Sequence, residues 1–186
     1  VIHNVVDNIA GSWVENDQMG VLLVDFIKPF DSVEHAFIKK AMEHFNLGPV
    51  LVGMVMTLLR ERQACINLGH MYSGRFNIER GTPQGDRASP YIFLICVEIL
   101  LIKLEMGGEG KIVSRGAVDI EGNQCSSLNE AFADDLTVLF RLIEGAAAKI
   151  IAILGNFGSI SGLHINRDKT HIMVAGSEWD GGDNIE

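Results

Sequence analysis

The sequence of this 186-residue chain predicts an α+β fold, in which a small antiparallel sheet packs on helices. An aliphatic run that ends in an acid, residues 21–25, is typical of a strand buried on both faces, with Asp25 at its carboxyl end. Apolar runs before and after Asp134 and Asp135 predict two strands joined by an acidic turn. Because helices separate these strands and the central hairpin is antiparallel, the pattern favours α+β over a doubly wound parallel sheet.

Helical periodicity predicts the helices around the sheet. One of them ends at an Asn-Leu-Gly-Pro sequence, another is apolar almost all round and is expected to be covered in the intact protein, and a third has Pro90 in its first turn. The predicted helices are residues 2–14, 32–45, 50–62, 90–106 and 144–160.

The other predicted strands are short and flanked by glycine. Residues 64–68 and 75–78 are predicted to form a hairpin. Residues 111–120 are predicted to contain short strands broken at Gly116 and Gly122, and residues 170–174 a last strand.

Asp31 is predicted to cap the helix that starts at Ser32. Glu34 stands three residues further on and would complete a capping box. This interpretation assigns Asp31 to structure rather than to chemistry.

The chain is apolar and acidic for its length. A single domain with a substantial core is expected for 186 residues. Hydrophobic residues make up 47% of the chain and the mean hydropathy is +0.21, both high for a soluble monomer. The net charge of −9 argues against nucleic-acid binding by this chain alone, because affinity for a phosphate backbone comes mainly from Lys and Arg.

Cysteine and histidine usage indicates an intracellular protein without a zinc site. Cys65, Cys96 and Cys125 are widely spaced and odd in number, which predicts reduced thiols, and no His has zinc-ligand spacing with Cys or Glu. The apolar stretch 91–102 is interrupted by a Glu and is too short to span a bilayer. Residues 1–10 lack the basic start of a signal peptide, so a cytoplasmic or nuclear location without a membrane partner is expected.

The carboxylates of Asp25, Asp134 and Asp135 are the candidate functional groups. Adjacent negative charges repel each other and resist burial, so an apolar sheet edge that carries them favours a bound cation. Two other interpretations remain: an ordinary solvated turn, and a phospho-receiver-like module built around Asp25. The second requires an acidic pair at the end of an earlier strand, and residues 1–20 predict no such strand.

Four segments of the chain resemble, in order, the palm motifs of reverse transcriptases. These motifs are an Asp five residues before an aromatic–Asp pair, a Gln-Gly loop that leads into a helix, an aromatic-Ala-Asp-Asp turn, and a Gly-Leu, Asn, Lys-Thr series. They are matched by residues 24–31, 80–90, 132–135 and 162–170. Four matches in the right order make a specific signal, and their detailed form is most similar to LINE-type (non-LTR) retrotransposon enzymes.

The resemblance implies an RNA-directed DNA polymerase that extends a primer 3′-OH by two-metal catalysis. Asp25 and Asp134 would bridge two Mg²⁺ ions, for which Mn²⁺ could substitute, and the backbone carbonyl of Phe26 would assist. Asp135 would also serve as a catalytic metal ligand, although strand alternation points it to the other face unless the turn brings it round. The implied partners are an RNA template, a DNA primer and deoxynucleoside triphosphates.

The resemblance also implies roles for substrate-binding residues. The ring of Phe30 would lie beside the nucleotide sugar and exclude a 2′-hydroxyl, and Gln84 and Gly85 would contact the incoming nucleotide and the template. Lys169 would protonate or steady the departing pyrophosphate. Each has a structural alternative: a core aromatic ring for Phe30, an ordinary turn for the Gln-Gly pair and a solvated side chain for Lys169.

The chain departs from the family pattern at Pro29, where a small residue is usual, and at the Arg87-Ala88 pair, where Pro-Leu is usual. Residues 1–175 are predicted to form the palm with part of the fingers, and residues 176–186 a disordered acidic tail. The remaining fingers and the thumb would come from the parent polypeptide. An inactive retroelement remnant and the palm of an RNA-dependent RNA polymerase stay open as alternatives.

Overall fold

The computed structural model describes residues 19–60, 62–107, 113–118, 124–126, 129–132 and 135–175. The helix predicted at residues 2–14 and the tail predicted at 176–186 lie outside these ranges. The described residues form two compact units, the first made of residues up to 26, 101–156 and from 165 onward, and the second made of residues 27–100 and 157–164.

Helices and strands alternate irregularly along the chain. In order, they are β1 (Met19–Val24), α1 (Pro29–Ser32), α2 (His35–His44), α3 (Pro49–Leu59), β2 (Gln63–Ala64), β3 (Phe76–Asn77), α4 (Ser89–Gly107), β4 (Val113–Val118), β5 (Gln124–Ser126), β6 (Asn129–Phe132), β7 (Asp135–Arg141), α5 (Ala146–Ser161) and β8 (His171–Ala175). Within the described ranges, no helix combines the length and the apolar character that crossing a membrane requires.

A four-stranded sheet in the order β6-β7-β1-β8 lies in the first unit, and every neighbouring pair is antiparallel. The predicted α+β fold with a small antiparallel sheet is therefore confirmed. β1 lies in the middle of the sheet and is buried at every position except Leu23, which is 36% exposed. This burial explains why β1 is an almost uninterrupted aliphatic run.

Gly20 in β1 leaves space for the ring of Phe140 in β7. The register pairs the two residues, and a Cβ atom added to Gly20 would lie 2.3 Å from the ring Cζ. The Phe140 side chain is buried. The ring therefore occupies the volume of the missing side chain, which explains a glycine at a strand position where glycine is otherwise unfavourable.

The second unit contains α2, α3 and the β2–β3 hairpin, which was predicted from the sequence and is confirmed. α2 and α3 each bury one apolar face, formed by Phe37, Ile38, Ala41 and Met42 in α2 and by Val52, Val55 and Leu59 in α3. The opposite face of α3 exposes Val50, Leu51, Met54 and Leu58. The expectation that this face is covered in the intact protein stays a prediction.

The single helix predicted at residues 32–45 is wrong, because Val33 and Glu34 are extended and separate α1 from α2. Tertiary hydrogen bonds hold these two residues out of the helix: the Gly81 N–H donates to the Val33 carbonyl, and the Glu34 N–H donates to the Ser161 carbonyl. The predicted capping role of Asp31 is also wrong, because Asp31 lies inside α1 and α2 starts without a side-chain cap.

The short strands predicted at residues 111–120 form one strand, β4, which pairs with β5. Gly116 lies within this strand and does not end it. A shift of register between Val113 and Val118 accommodates an irregular backbone there, so the glycine is tolerated at a bulge. Gly122 lies outside the described residues.

Candidate functional site

The strand pairing brings two of the three candidate acidic positions to one end of the sheet. Val24, the last residue of β1, pairs with Leu136, and β7 starts one residue earlier at Asp135. Asp25 directly follows Val24, so the backbones of Asp25 and Asp135 lie at the same end of the β1–β7 pair. The predicted acidic hairpin is confirmed in its strands, since Phe132 of β6 pairs with Asp135. Asp134 lies outside the described residues.

Backbone hydrogen bonds on both sides hold Asp25 in place. Its N–H donates to the Thr170 Oγ1 at 3.4 Å, and its carbonyl accepts from the Asn166 N–H at 2.7 Å. The side chain is half-buried, and among the described residues no hydrogen bond or ion pair engages its carboxylate. The described residues, which do not include Asp134, also contain no cluster of three His, Cys, Asp or Glu side chains able to hold a metal.

The segment after Ile165 forms a compact turn beside Asp25. Phe26 and Ile165 form an isolated antiparallel bridge. The Asn166 carbonyl accepts hydrogen bonds from the Lys169 N–H at 3.2 Å and from the Thr170 N–H at 2.9 Å. Lys169 is exposed on this turn. The sequence motif that contains Lys169 is therefore bonded, through its backbone and Thr170, to the end of the central strand.

In the second unit, Phe30 lies in α1 and packs against Phe93 of α4. The ring centroids are 4.8 Å apart and the ring planes are inclined by 38°. Phe93 is buried and Phe30 is half-buried. Pro29 is the first residue of α1, where its missing N–H would have no helical partner. The helix therefore accommodates this departure from the family pattern.

Gln84 and Gly85 lie in the turn that precedes α4. Gly85 has φ +86, and within the described part of the chain no atom beyond its two neighbours in sequence lies within 4 Å of where its Cβ would be. The exposed Gln84 side chain donates from Nε2 to both carboxylate oxygens of Asp31, at 3.1 Å and 3.2 Å. The turn joins α4 through the Asp86 Oδ1, which accepts from the Ala88 N–H at 2.8 Å. Arg87, the other departure, is exposed.

Glycines allow the backbone around Asp31 to approach closely. The Thr82 N–H donates to the Phe30 carbonyl at 2.7 Å. Gly81 has φ +78, and its Cβ would lie 2.7 Å from the Asp31 Cα, which is closer than real Cβ contacts allow. Gly162 has φ +82 and approaches the Ser32 carbonyl in the same way. The sequence motifs around Asp31 and Gly81 therefore form one hydrogen-bonded assembly.

Sequence reasoning missed three residues that the structure connects to the predicted site: Asp31, Asn166 and Thr170. Asp31 was assigned to a helix cap, and the other two were treated only as parts of a motif. Their partners are distant in the chain, and a single sequence carries no signal for such pairs. One indication of their importance was present in the sequence, since all three lie inside the matched motifs.

Comparison with known proteins gives the same assignment over nearly the whole chain. Residues 3–181 match the family described as "Reverse transcriptase (RNA-dependent DNA polymerase)". Two matches come from the "Retrovirus-related Pol polyprotein from type-1 retrotransposable element R2" of Popillia japonica. One is 29% identical over 119 residues, covering 64% of this chain and 18% of the relative; the other is 27% identical over 160 residues, covering 84% and 21%.

A Drosophila melanogaster relative, the "Retrovirus-related Pol polyprotein from type-2 retrotransposable element R2DM", is 30% identical over 149 residues, covering 78% of this chain and 13% of the relative. The chain thus spans about a fifth or less of the length of these relatives.

Two solved structures share the fold. Telomerase from Candida tropicalis has a TM-score of 0.66 at 8% identity, covering 93% of this chain and 29% of that one. Telomerase from Candida albicans has a TM-score of 0.62 at 12% identity, covering 92% and 29%.

Proposed function

We infer the function from one premise: the chain belongs to the reverse transcriptase (RNA-dependent DNA polymerase) family. The resemblance to LINE-type (non-LTR) enzymes is confirmed, because the relatives are R2 retrotransposable elements. We propose that residues 1–175 form the palm, with part of the fingers, of an RNA-directed DNA polymerase. Its reaction joins the primer 3′-oxygen to the α-phosphorus of a deoxynucleoside triphosphate and releases pyrophosphate.

Asp25, Asp134 and Asp135 would hold the catalytic cations. The carboxylate of Asp25 fits a hard cation such as Mg²⁺, which prefers carboxylate oxygens, because it is half-buried and no described residue engages it. The observation that carries the proposal is the pairing of Val24 with Leu136, which supports a common location for Asp25 and the acidic turn. Two Mg²⁺ ions, or Mn²⁺ in their place, would supply charge stabilisation for the attacking and leaving oxygens.

The remaining site residues would bind and orient the substrate. The Phe26 carbonyl would add a ligand beside Asp25, and the Phe30 ring would face the sugar. Gln84 and Gly85 would contact the nucleotide and template, where the missing Gly85 side chain leaves space for close approach. Lys169 would steady the departing pyrophosphate, an assignment supported by the hydrogen bonds between its turn and the Asp25 backbone.

The partners would be an RNA template, a DNA primer and deoxynucleoside triphosphates. The charge of −9 disfavours a grip on phosphate by this chain alone, so the remaining fingers and thumb of the parent polypeptide would supply the basic surface. These nucleic-acid substrates imply action inside the cell, in the cytoplasm or nucleus. We expect the 186-residue chain by itself to show little or no primer extension.

The test is primer extension on an RNA template with Mg²⁺, using the polypeptide encoded by the whole reading frame that contains this chain. Asp25→Asn and Asp134→Asn should each lower the rate by roughly a hundredfold or more, because several kcal/mol of charge stabilisation are lost and each ~1.4 kcal/mol is tenfold. Glu98→Gln, which removes one exposed charge from α4, is the control and should retain the parental rate.

A folded but inactive parent polypeptide would favour the retroelement remnant instead. Equal use of ribonucleotides and deoxynucleotides would favour an RNA polymerase. Activity that survives Asp25→Asn would refute the assignment of the metal ligands.

A further inference from the structure

The amide of Gln84 has one defined orientation because Asp31 faces it. The Gln84 Nε2 lies 3.1 Å from one carboxylate oxygen of Asp31 and 3.2 Å from the other. A carboxylate accepts hydrogen bonds but does not donate them, so the atom that faces it must be the NH₂ group. The amide oxygen of Gln84 is therefore turned away from Asp31.

The backbone sets the separation of the two side chains. The Thr82 N–H donates to the Phe30 carbonyl at 2.7 Å. Gly81 approaches the Asp31 backbone so closely that a Cβ would lie 2.7 Å from the Asp31 Cα. These contacts fix the backbone on both sides, so the entropy lost when the hydrogen bond forms is mainly that of the two side chains.

Gln84 and Gly85 are both exposed to solvent. Apart from the neighbours of Gly85 in the chain, no atom of the described residues lies within 4 Å of its Cβ position. The oriented amide oxygen is thus available as an acceptor for a group that approaches from outside.

We propose that Asp31 is a positioning residue, which fixes Gln84 so that its amide oxygen accepts a hydrogen bond from a hydroxyl or amino group of the incoming nucleotide. This inference rests on the proposed polymerase function. Asp31→Asn tests this positioning role, because it replaces the carboxylate with an amide of nearly the same shape. An Asn side chain offers both a donor and an acceptor, so it permits either orientation of the Gln84 amide, and the preference for an outward oxygen is lost.

The primary measurement is nucleotide binding without chemistry. The whole parent polypeptide is assembled with an RNA template and a dideoxy-terminated DNA primer, and the Kd of the matching deoxynucleoside triphosphate is measured with Mg²⁺. Asp31→Asn should weaken binding by about tenfold, as expected for the loss of one oriented hydrogen bond. With an extendable primer, KM should rise by the same factor while kcat changes by less than about twofold. Binding by Asp31→Asn within twofold of the parent would overturn the proposal.

A second variant separates positioning from folding. Gln84→Glu places a carboxylate opposite Asp31 and should weaken binding through repulsion. In the double variant, which combines Gln84→Glu with Asp31→Asn, the new amide can donate to the new carboxylate, and that carboxylate still presents an outward acceptor oxygen. The double variant should bind nucleotide more tightly than Gln84→Glu alone. If the fold-losses in nucleotide affinity of the two single variants multiply in the double variant, the two residues act independently. That result would overturn the proposal.

Controls distinguish this proposal from the proposed function. Glu98→Gln removes an equal charge from the exposed surface of α4 and should bind nucleotide as the parent does; an equal loss there would show that net charge, not orientation, is responsible. If the parent binds nucleotide without extending the primer, the proposed function fails, and the binding comparison still decides the role of Asp31. If the parent extends normally and Asp31→Asn binds normally, only the positioning role fails.

Discussion

The ring of Phe30 rests against the buried ring of Phe93, with 4.8 Å between the two centroids. Aromatic pairs at this separation gain about 0.5–1.5 kcal/mol beyond their area burial. The half-buried Phe30 is therefore held by the start of α4. A bulky ring held in one place would suit the proposed steric barrier against a ribose 2′-hydroxyl.

In the whole parent polypeptide, Phe30→Val should increase ribonucleotide incorporation relative to deoxynucleotide incorporation. Removing a clash of roughly 1–3 kcal/mol corresponds to about a 5- to 150-fold change in the ratio of kcat/KM values. The measurement is single-nucleotide incorporation with each sugar. Phe37→Val, which removes a ring of α2 that packs edge-on against Phe157, is the matched control and should cost stability without changing the ratio. A parent that already uses both sugars equally would contradict the role of Phe30.

Gly81→Ala should destabilise the folded chain by about 3 kcal/mol, since it combines positive φ with overpacking against the Asp31 backbone. The free energy of unfolding is measured by urea titration. Gly155→Ala is the control, because this glycine lies within α5, and outside the α5 backbone no described residue has an atom within 4 Å of its Cβ position. It should stabilise the protein by about 0.5–1 kcal/mol. Similar effects at both glycines would contradict the close approach of residues 31 and 81.

Gly20→Ala should destabilise the sheet, because the added methyl group overlaps the Phe140 ring. The expected cost is about 1–3 kcal/mol. Phe140→Leu should cost a similar amount alone, through lost packing. In the double variant the smaller Leu makes room for the methyl group, so the total loss should be less than the sum of the two single losses. Strictly additive losses would show that the two positions do not share this space.

Cys96 should resist alkylation in the folded state. Burial disfavours its thiolate and raises the pKa of the thiol from 9.0 to about 12. In a Cys125→Ser background, iodoacetamide at neutral pH should modify the exposed Cys65 quickly and Cys96 only after unfolding. Equal rates at both thiols would contradict this burial.

The same pKa shift predicts a pH dependence of stability. The unfolded state releases the Cys96 proton near pH 9, whereas the folded state keeps it until about pH 12. The contribution of Cys96 is therefore fully present below about pH 9 and is lost as the pH rises towards 12. The free energy of unfolding should fall less steeply in Cys96→Ala over this interval than in the parent chain.

The sequence by itself determined the elements that depend on local pattern. The aliphatic run of β1, the apolar flanks of the acidic hairpin and the helix with Pro90 in its first turn carry their own periodicity, so strand and helix could be assigned before any contact was known. The motif order was equally local, and it led to the family and to Asp25 as a candidate ligand. The positions of Asp134 and of the Asp135 side chain lie outside what the structure describes, so their roles stay predictions.

Only the tertiary structure decided the roles of residues whose partners are far away in the chain. The capping-box pattern at Asp31 and Glu34 was a valid local signal, yet Asp31 bonds to Gln84, 53 residues away. Glu34 is extended because its N–H donates to the carbonyl of Ser161. In both cases a hydrogen bond formed on folding outweighs a helix cap worth about 1 kcal/mol. No local sequence pattern shows which distant group will form that hydrogen bond. The family could be predicted because its characteristic residue types cluster in short motifs, whereas the orientation of the side chains depends on long-range contacts.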